Sequence, residues 1–339
     1  MEVLNKPEME LVAELKKLRV DRDPLFVEKS EKYLASAEDE MNKRLAAEIL
    51  FQQVVYYNNV IGHYELSNRL SVTCLHYANL LSNKTLEANV LRMMGVNYDC
   101  LGHGMKARKA YDEGAAILET KAELTTEDKE ILAGIYFNIV SLYKELDIDE
   151  SRLVYIDKSF KLFTEIENKQ GIARCYIAYA NNFPDVKNSG LAIEYYRLAA
   201  DIFGKINDRR GLGNCQVGIG YQLGLQGKFD EALTILYEGI ENLKKSSNEF
   251  VTMQGYFNLA IVLRLQKRYD DAIYFLRLVQ SISESYKVNM NMMFLYEEWA
   301  LTLEERGDYK EALEYQKKYQ QEREKAHQFD KDTTERSHA

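Results

Sequence analysis

The sequence predicts an all-α chain, a right-handed α-solenoid of about seven to eight stacked helical hairpins. Three observations predict it. A short pattern recurs about every forty residues. Within each recurrence, large and small residues fall at offsets of four, three and four, which is one face of a helix. The 339 residues also hold only three prolines, Pro7, Pro24 and Pro184, so the strongest helix breaker is nearly absent.

The recurrence is plainest in "GLQGKFDEALTIL" (224–236), "RLQKRYDDAIYFL" (264–276) and "EERGDYKEALEYQ" (304–316). A small residue, replaced once by arginine, opens the second helix of each hairpin: Ser67, Ala107, Arg152, Ala192, Ala232, Ala272 and Ala312. Every step is forty residues except one of forty-five, which holds the polar insertion "ETKAELTTEDKE" (119–130). The first helix carries a ring series, Tyr136, Tyr176, Tyr256 and Tyr296, with Gln216, Phe51 and Leu91 at the equivalent places. Four residues later comes a small or apolar series: Val55, Gly95, Val140, Ala180, Gly220, Ala260 and Ala300. A large ring followed by a small residue lets a neighbouring helix approach closely. Gly62, Gly102, Gly227 and Gly307 are placed to end the first helix with a positive φ. Tyr111, Tyr196 and Leu236 are the large packing residues of the second helix. One such hairpin cannot bury its own apolar face, and a stack of them can.

"NLAIVLRLQKRYDDAI" and "GIGYQLGLQGKFDEAL" resemble the tetratricopeptide repeat, an aromatic, then Leu-Gly, then Tyr, then Ala. The resemblance covers residues 48–320 as seven units, starting near 48, 88, 133, 173, 213, 253 and 293. Residues 1–47 read as N-terminal helices with an eighth, degraded unit over 5–40. Residues 321–339 read as a C-terminal helical extension or linker. The period is forty rather than thirty-four, and the usual terminal proline is missing. Forty-residue units with linkers such as "EIENKQGIARCY" and "KINDRRGLGNCQ" resemble the long subclass found in bacterial signalling sensors and in spindle-orientation scaffold proteins.

Composition narrows the function. The net charge of −9 argues against nucleic acid and anionic lipid as partners. The first residues, "MEVLNKPEME", do not resemble a signal peptide, and no stretch approaches a membrane helix. Cys74, Cys100, Cys175 and Cys215 sit inside helical patterns and read as reduced core thiols of a cytoplasmic protein. No GxxxxGK[ST], GxSxG, HExxH or CxxC motif is present, so no enzyme activity, cofactor or metal is expected. Cys100 and His103 have half-site spacing without a second half-site, and read as a buried thiol and a turn histidine. "GHGMKA" (102–107) reads as a hairpin turn, since no strand precedes it. The 24 tyrosines recur in phase with the hairpins, which packing explains and a single aromatic cage does not.

The tetratricopeptide resemblance implies a concave groove lined by the first helices. The places that face it hold Gln52, Gln53, Tyr56, Asn89, Arg92 and Asp99 in the N-terminal part. The middle supplies Asn138, Lys144, Arg174, Asn181 and Asn214. The C-terminal part supplies Tyr221, Gln254, Asn258, Arg264, Glu297 and Glu298. Asparagine amides there can clamp a peptide backbone, and Arg92, Arg174 and Arg264 can meet carboxylates, including a peptide C-terminus. The alternative is a solvated polar helix face, and one sequence does not separate the two.

The leading expectation is therefore a non-enzymatic scaffold whose groove takes a peptide or protein segment. The second is a regulatory sensor, similar to bacterial peptide-pheromone receptors of the Rap type or to the sensory part of a signalling protein. "QFDKDTTERSHA" (328–339) resembles the helical linker that precedes cyclase, phosphodiesterase or kinase output domains. Tyr315, Tyr319, Glu322, Ala326 and Phe329 form a thin heptad stripe along that tail, and self-association through the tail or the open end of the array is a third expectation.

Overall fold

The computed structural model describes residues 4–39, 41–145, 149–183, 186–246, 249–286 and 292–337. All of its regular structure is helical, and it divides into two compact units, 1–168 and 169–339.

The N-terminal unit runs α1 (Lys6–Val20), α2 (Leu25–Asp39), α3 (Lys43–Tyr56), α4 (Tyr64–Leu80), α5 (Lys84–Cys100), α6 (Gly104–Glu119), α7 (Thr126–Glu145) and α8 (Asp149–Glu165). A π-helical turn, Tyr57–Ile61, prolongs α3 and ends at Gly62 with φ 74°. The C-terminal unit runs α9 (Lys169–Asn181), α10 (Ser189–Lys205), α11 (Arg209–Leu225), α12 (Phe229–Ser246), α13 (Glu249–Leu265), α14 (Tyr269–Tyr286), α15 (Met292–Arg306) and α16 (Tyr309–Ser337).

Helix starts follow from capping. Asn42, Asn83 and Asp208 each accept a backbone N–H three residues on, at 3.1, 3.1 and 2.9 Å. Helix ends follow from one left-handed residue. At Gly227, φ is 76°, and the next amide, Lys228 N, reaches back to Leu223 O at 3.0 Å. Glycine is not obligatory there. Lys267, forty residues on, takes φ 64°, and Ser82, Glu167 and Asn207 do the same between hairpins.

The spacing series pack as the pattern requires. Ser67, Ala107, Ala192, Ala232 and Ala272 are all completely buried. Val140, Ala180 and Ala260 are buried too. At Gly220 a Cβ would lie 2.6 Å from Leu236 Cγ and 2.9 Å from the Ala232 carbonyl oxygen, so this glycine is where α11 and α12 nearly touch. Arg152 is the exception: a guanidinium-bearing residue, mostly buried, stands where other hairpins have alanine or serine.

Curvature inside each unit has a direction. In the N-terminal unit α3 contacts α5 and α5 contacts α7; in the C-terminal unit α11 contacts α13 and α13 contacts α15. Among the described residues, α10 and α12, and α12 and α14, meet less closely. The first helices α3, α5 and α7, and likewise α11, α13 and α15, therefore form the inner side of their units.

Candidate functional site

On the inner side of the C-terminal unit, the forty-residue register stacks equivalent positions of α9, α11, α13 and α15. One row is Arg174, Asn214, Gln254 and Phe294, and all four are exposed. A neighbouring row is Asn181, Tyr221, Ile261 and Leu301. The buried partners hold these helices together beneath the rows: Leu223, Leu259, Leu263, Leu295 and Leu303 belong to one continuous core. The polar rows therefore stand on packed elements rather than on loops.

Within this face the side chains differ in freedom. Gln254 donates its amide to Asn258 Oδ1 at 2.8 Å. The Tyr196 hydroxyl donates to Asn181 Oδ1. Arg174 reaches solvent while protein surrounds its stem; the resulting desolvation lowers its pKa, Cys175 opposes the shift, and the charge of Arg210 adds to it. Arg264 lies differently from the expectation that it meets an incoming carboxylate. Its guanidinium is held by Glu298, with Nε–Oε1 2.6 Å and Nη2–Oε2 3.2 Å, and by Glu305 at 2.7 Å. Burial pushes the Glu298 carboxyl up, and Arg264 opposes that push. Burial likewise raises the Tyr221 hydroxyl, with Glu298 adding to it.

The N-terminal unit uses its predicted inner-face residues in another way. Gln53 is 4% exposed and donates to Ser30 Oγ at 3.1 Å. Tyr56 is buried and stacks on Phe26, ring centroids 4.2 Å apart. Gln52 is buried as well. The cause is the α1–α2 hairpin, which packs on α3 and turns these polar side chains into core. Arg92 and Asn89 close on each other at 2.8 and 3.1 Å. Asn138 and Asp99 are half-buried, and the side chain of Lys144 lies outside the described residues. Among the described residues, the predicted places that are fully exposed, Arg174, Asn181, Asn214, Gln254 and Glu297, all lie in the C-terminal unit.

No protein-family model matches the sequence, and no curated protein matches it. Solved structures do match. The Rap conjugation gene regulator of the plasmid pLS20, in complex with the Phr* peptide, is 11% identical with TM-score 0.67; the match covers 97% of this chain and 98% of that one. Aspartyl phosphate phosphatase F from Bacillus subtilis is 14% identical with TM-score 0.65, covering 93% of this chain and 79% of that one. The signal transduction ATPase with a tetratricopeptide repeat sensor from Pyrococcus horikoshii is 16% identical with TM-score 0.58, covering 89% of this chain and 43% of that one.

The fold is that of the tetratricopeptide-like repeat proteins. Within this tetratricopeptide-like fold, the described residues contain no group of three or more His, Cys, Asp or Glu placed to hold a metal ion, and no helix long and apolar enough to cross a membrane. The four cysteines are free thiols; Cys74, Cys175 and Cys215 are buried, whereas Cys100 is exposed, contrary to its reading as a core thiol. His103 stands in the turn before α6, as its spacing suggested.

Two features of the open face escaped the sequence. Arg210 is exposed beside the row, but a repeat frame opening at residue 213 excludes it. Phe294 and Leu301, 49% and 39% exposed, are apolar residues on the same face. Their signal was available, since they lie forty residues after Gln254 and Ile261.

Proposed function

We propose that the chain is a non-enzymatic interaction module that binds a peptide or protein segment along the inner face of its C-terminal unit. The observation that carries this reading is the exposed row Arg174, Asn214 and Gln254, on helices whose undersides form one core. An extended peptide brings unpaired N–H and C=O groups, and amide side chains can donate to one and accept from the other. Asn258 is already oriented by the amide that Gln254 donates to it. The Phr* peptide bound to a regulator of the same fold supports the reading. Residues 48–320 are then the repeat array that carries this face, and 321–339 its extension.

The test is capture of unblocked random nonapeptides by the full chain, read by mass spectrometry. Enrichment that the double variant Arg174→Glu, Asn258→Ala loses supports the proposal. Enrichment that survives the variant places binding elsewhere, and no enrichment removes the peptide reading.

A second reading, a regulatory sensor, is favoured by α16. It has 29 residues against 15 for its partner α15. Trp299 on α15, the single tryptophan, stacks on Tyr315 of α16 with centroids 4.7 Å apart. A bound peptide that moves α16 would change Trp299 emission; a scaffold that binds without moving would leave it constant.

A further inference from the structure

Tyr196 on α10 belongs to a second helix, yet its hydroxyl reaches an inner-face residue of the C-terminal unit. At the equivalent place of other hairpins stand Ile156, Leu236 and Leu276, which are completely buried and end in methyl groups. Tyr196 is buried too, but it is longer and ends in a polar atom. Room for its ring comes from Gly218 on α11, where a Cβ would lie 2.4 Å from Tyr196 Cζ. Any side chain at 218 would meet the ring, so this glycine is a notch that admits the tyrosine. The hydroxyl at the end of the ring bonds Asn181, the last residue of α9 and one of the exposed inner-face amides.

The burial of one partner and the exposure of the other fix the polarity of this bond. A carboxamide can turn either edge to a hydroxyl: its oxygen accepts, or its NH2 donates. If Asn181 donated, the Tyr196 proton would be left inside the protein without an acceptor, which costs more than leaving an exposed amide edge to water. Burial also pushes the Tyr196 hydroxyl above the ordinary tyrosine range, with Cys215 and Tyr221 adding to the shift, so the proton stays on. Tyr196 therefore donates, Asn181 Oδ1 accepts, and the Asn181 NH2 is turned outward with its two donors. Gln254 and Asn258 differ. Their bond joins residues four apart on α13, one exposed and one half-buried, so both amides can turn over together at little cost.

Resting on the peptide-binding reading above, we propose that Tyr196 is a positioning residue for the ligand: seated in the Gly218 notch, it holds Asn181 as a fixed N–H donor that takes a main-chain carbonyl of the bound peptide. Tyr196 acts through Asn181 and does not itself touch the ligand. The Gln254–Asn258 pair, able to present either polarity, adapts to whichever main-chain group lies over it. The face therefore demands a carbonyl at α9 and tolerates either group at α13.

The test uses the full chain and N-acetylated, C-amidated nonapeptides randomised over uncharged residues, so that no ionic contact contributes. Capture is read by mass spectrometry for the unaltered chain, Tyr196→Phe, Asn181→Ala and the double variant. Tyr196→Phe keeps the ring that fills the notch and removes only the hydroxyl. The expected result is at least fivefold weaker capture by Tyr196→Phe, with no further loss when that change is added to Asn181→Ala. A merely structural role for Tyr196 would cost as much in the Asn181→Ala background as in the unaltered chain, and that outcome overturns the proposal. Asn181→Asp keeps an oxygen for Tyr196 and removes both N–H donors, so it should lose capture as fully as Asn181→Ala does. If Asn181→Asp captures as well as the unaltered chain, the donor polarity is wrong and the proposal fails. Capture of unblocked nonapeptides but not of blocked ones shows that the charged ends are read, which overturns the role of Asn181 while peptide binding stands. Capture of neither kind overturns both proposals.

Discussion

Gln53 and Asn214 are both amides on the first helix of a hairpin, and the tetratricopeptide resemblance assigned both to an inner face. Gln53 is buried and bonded to Ser30, while Asn214 is exposed. Tyr56 and Tyr221 differ in the same sense: one ring is stacked in a core on Phe26, and the other is half-exposed among Arg264 and Glu298. The N-terminal unit covers its first inner helix with α1 and α2, and those polar groups become internal links. Among the described residues of the C-terminal unit, Asn214 on α11 and Gln254 on α13 stay exposed. The same repeat chemistry thus serves cohesion in one unit and presentation in the other.

The comparison can be broken, most severely at Gly220. Gly220→Leu drives a side chain into Leu236 and the Ala232 carbonyl, and neither α11 nor α12 can yield without parting. We expect the C-terminal unit to lose its cooperative melting transition, with hydrogen-exchange protection surviving only before residue 169. Protection retained throughout would show that the two helices have room the geometry denies.

Next comes Arg264. Arg264→Met leaves Glu298 buried without its cation, at a cost of about 3 kcal/mol in denaturant unfolding. Adding Glu298→Gln should recover much of it, because the stranded charge is gone. If the double variant is no more stable than the single one, the pair is not coupled as its geometry implies.

The N-terminal unit has its own buried charge, Asp128, and there pH is the lever. Burial alone would raise its pKa, but Lys121 Nζ at 2.5 Å, Thr85 and Thr125 outweigh that and hold it at about 2. The ordinary aspartate value is about 3.9 in an unfolded chain, so the folded state binds the proton less readily. Its contribution, about 2 kcal/mol, is present above pH ~4 and is lost as pH falls toward 2. Asp128→Asn should therefore flatten stability between those limits. Parallel decline of both proteins would refute the assignment.

The smallest effect is a gain. Lys267 holds φ 64° in the turn where Gly227 and Gly307 stand in neighbouring hairpins. Lys267→Gly should stabilise by about 0.5–1 kcal/mol, by removing a strained left-handed lysine. A loss of stability would mean that the lysine side chain contributes more than its backbone costs.

Spacing alone placed Ala232, Ala272, Leu236 and Tyr111 in the core, because one small or large residue per hairpin must face the next hairpin. It could not tell Gln53 from Asn214. An amide at an inner place reads alike whether another hairpin covers it or solvent does. The pairing of Arg264 was hidden for a related reason, since Glu298 and Glu305 lie far along the chain and their convergence is tertiary. The positive φ at Ser82 and Glu167 was invisible, because neither residue favours that conformation as glycine and asparagine do.

The close approach at Gly220 has a consequence for how the chain comes to fold. Its helix, α11, contains five glycines in seventeen residues. At about 1 kcal/mol each relative to alanine, such a segment does not nucleate a helix alone. It must be templated by α10 and α12, whose Tyr196 and Leu236 fill the spaces that its missing side chains leave. Order in the middle of the C-terminal unit is therefore borrowed from both flanks, and an emerging chain gains it only when Leu236 has been made.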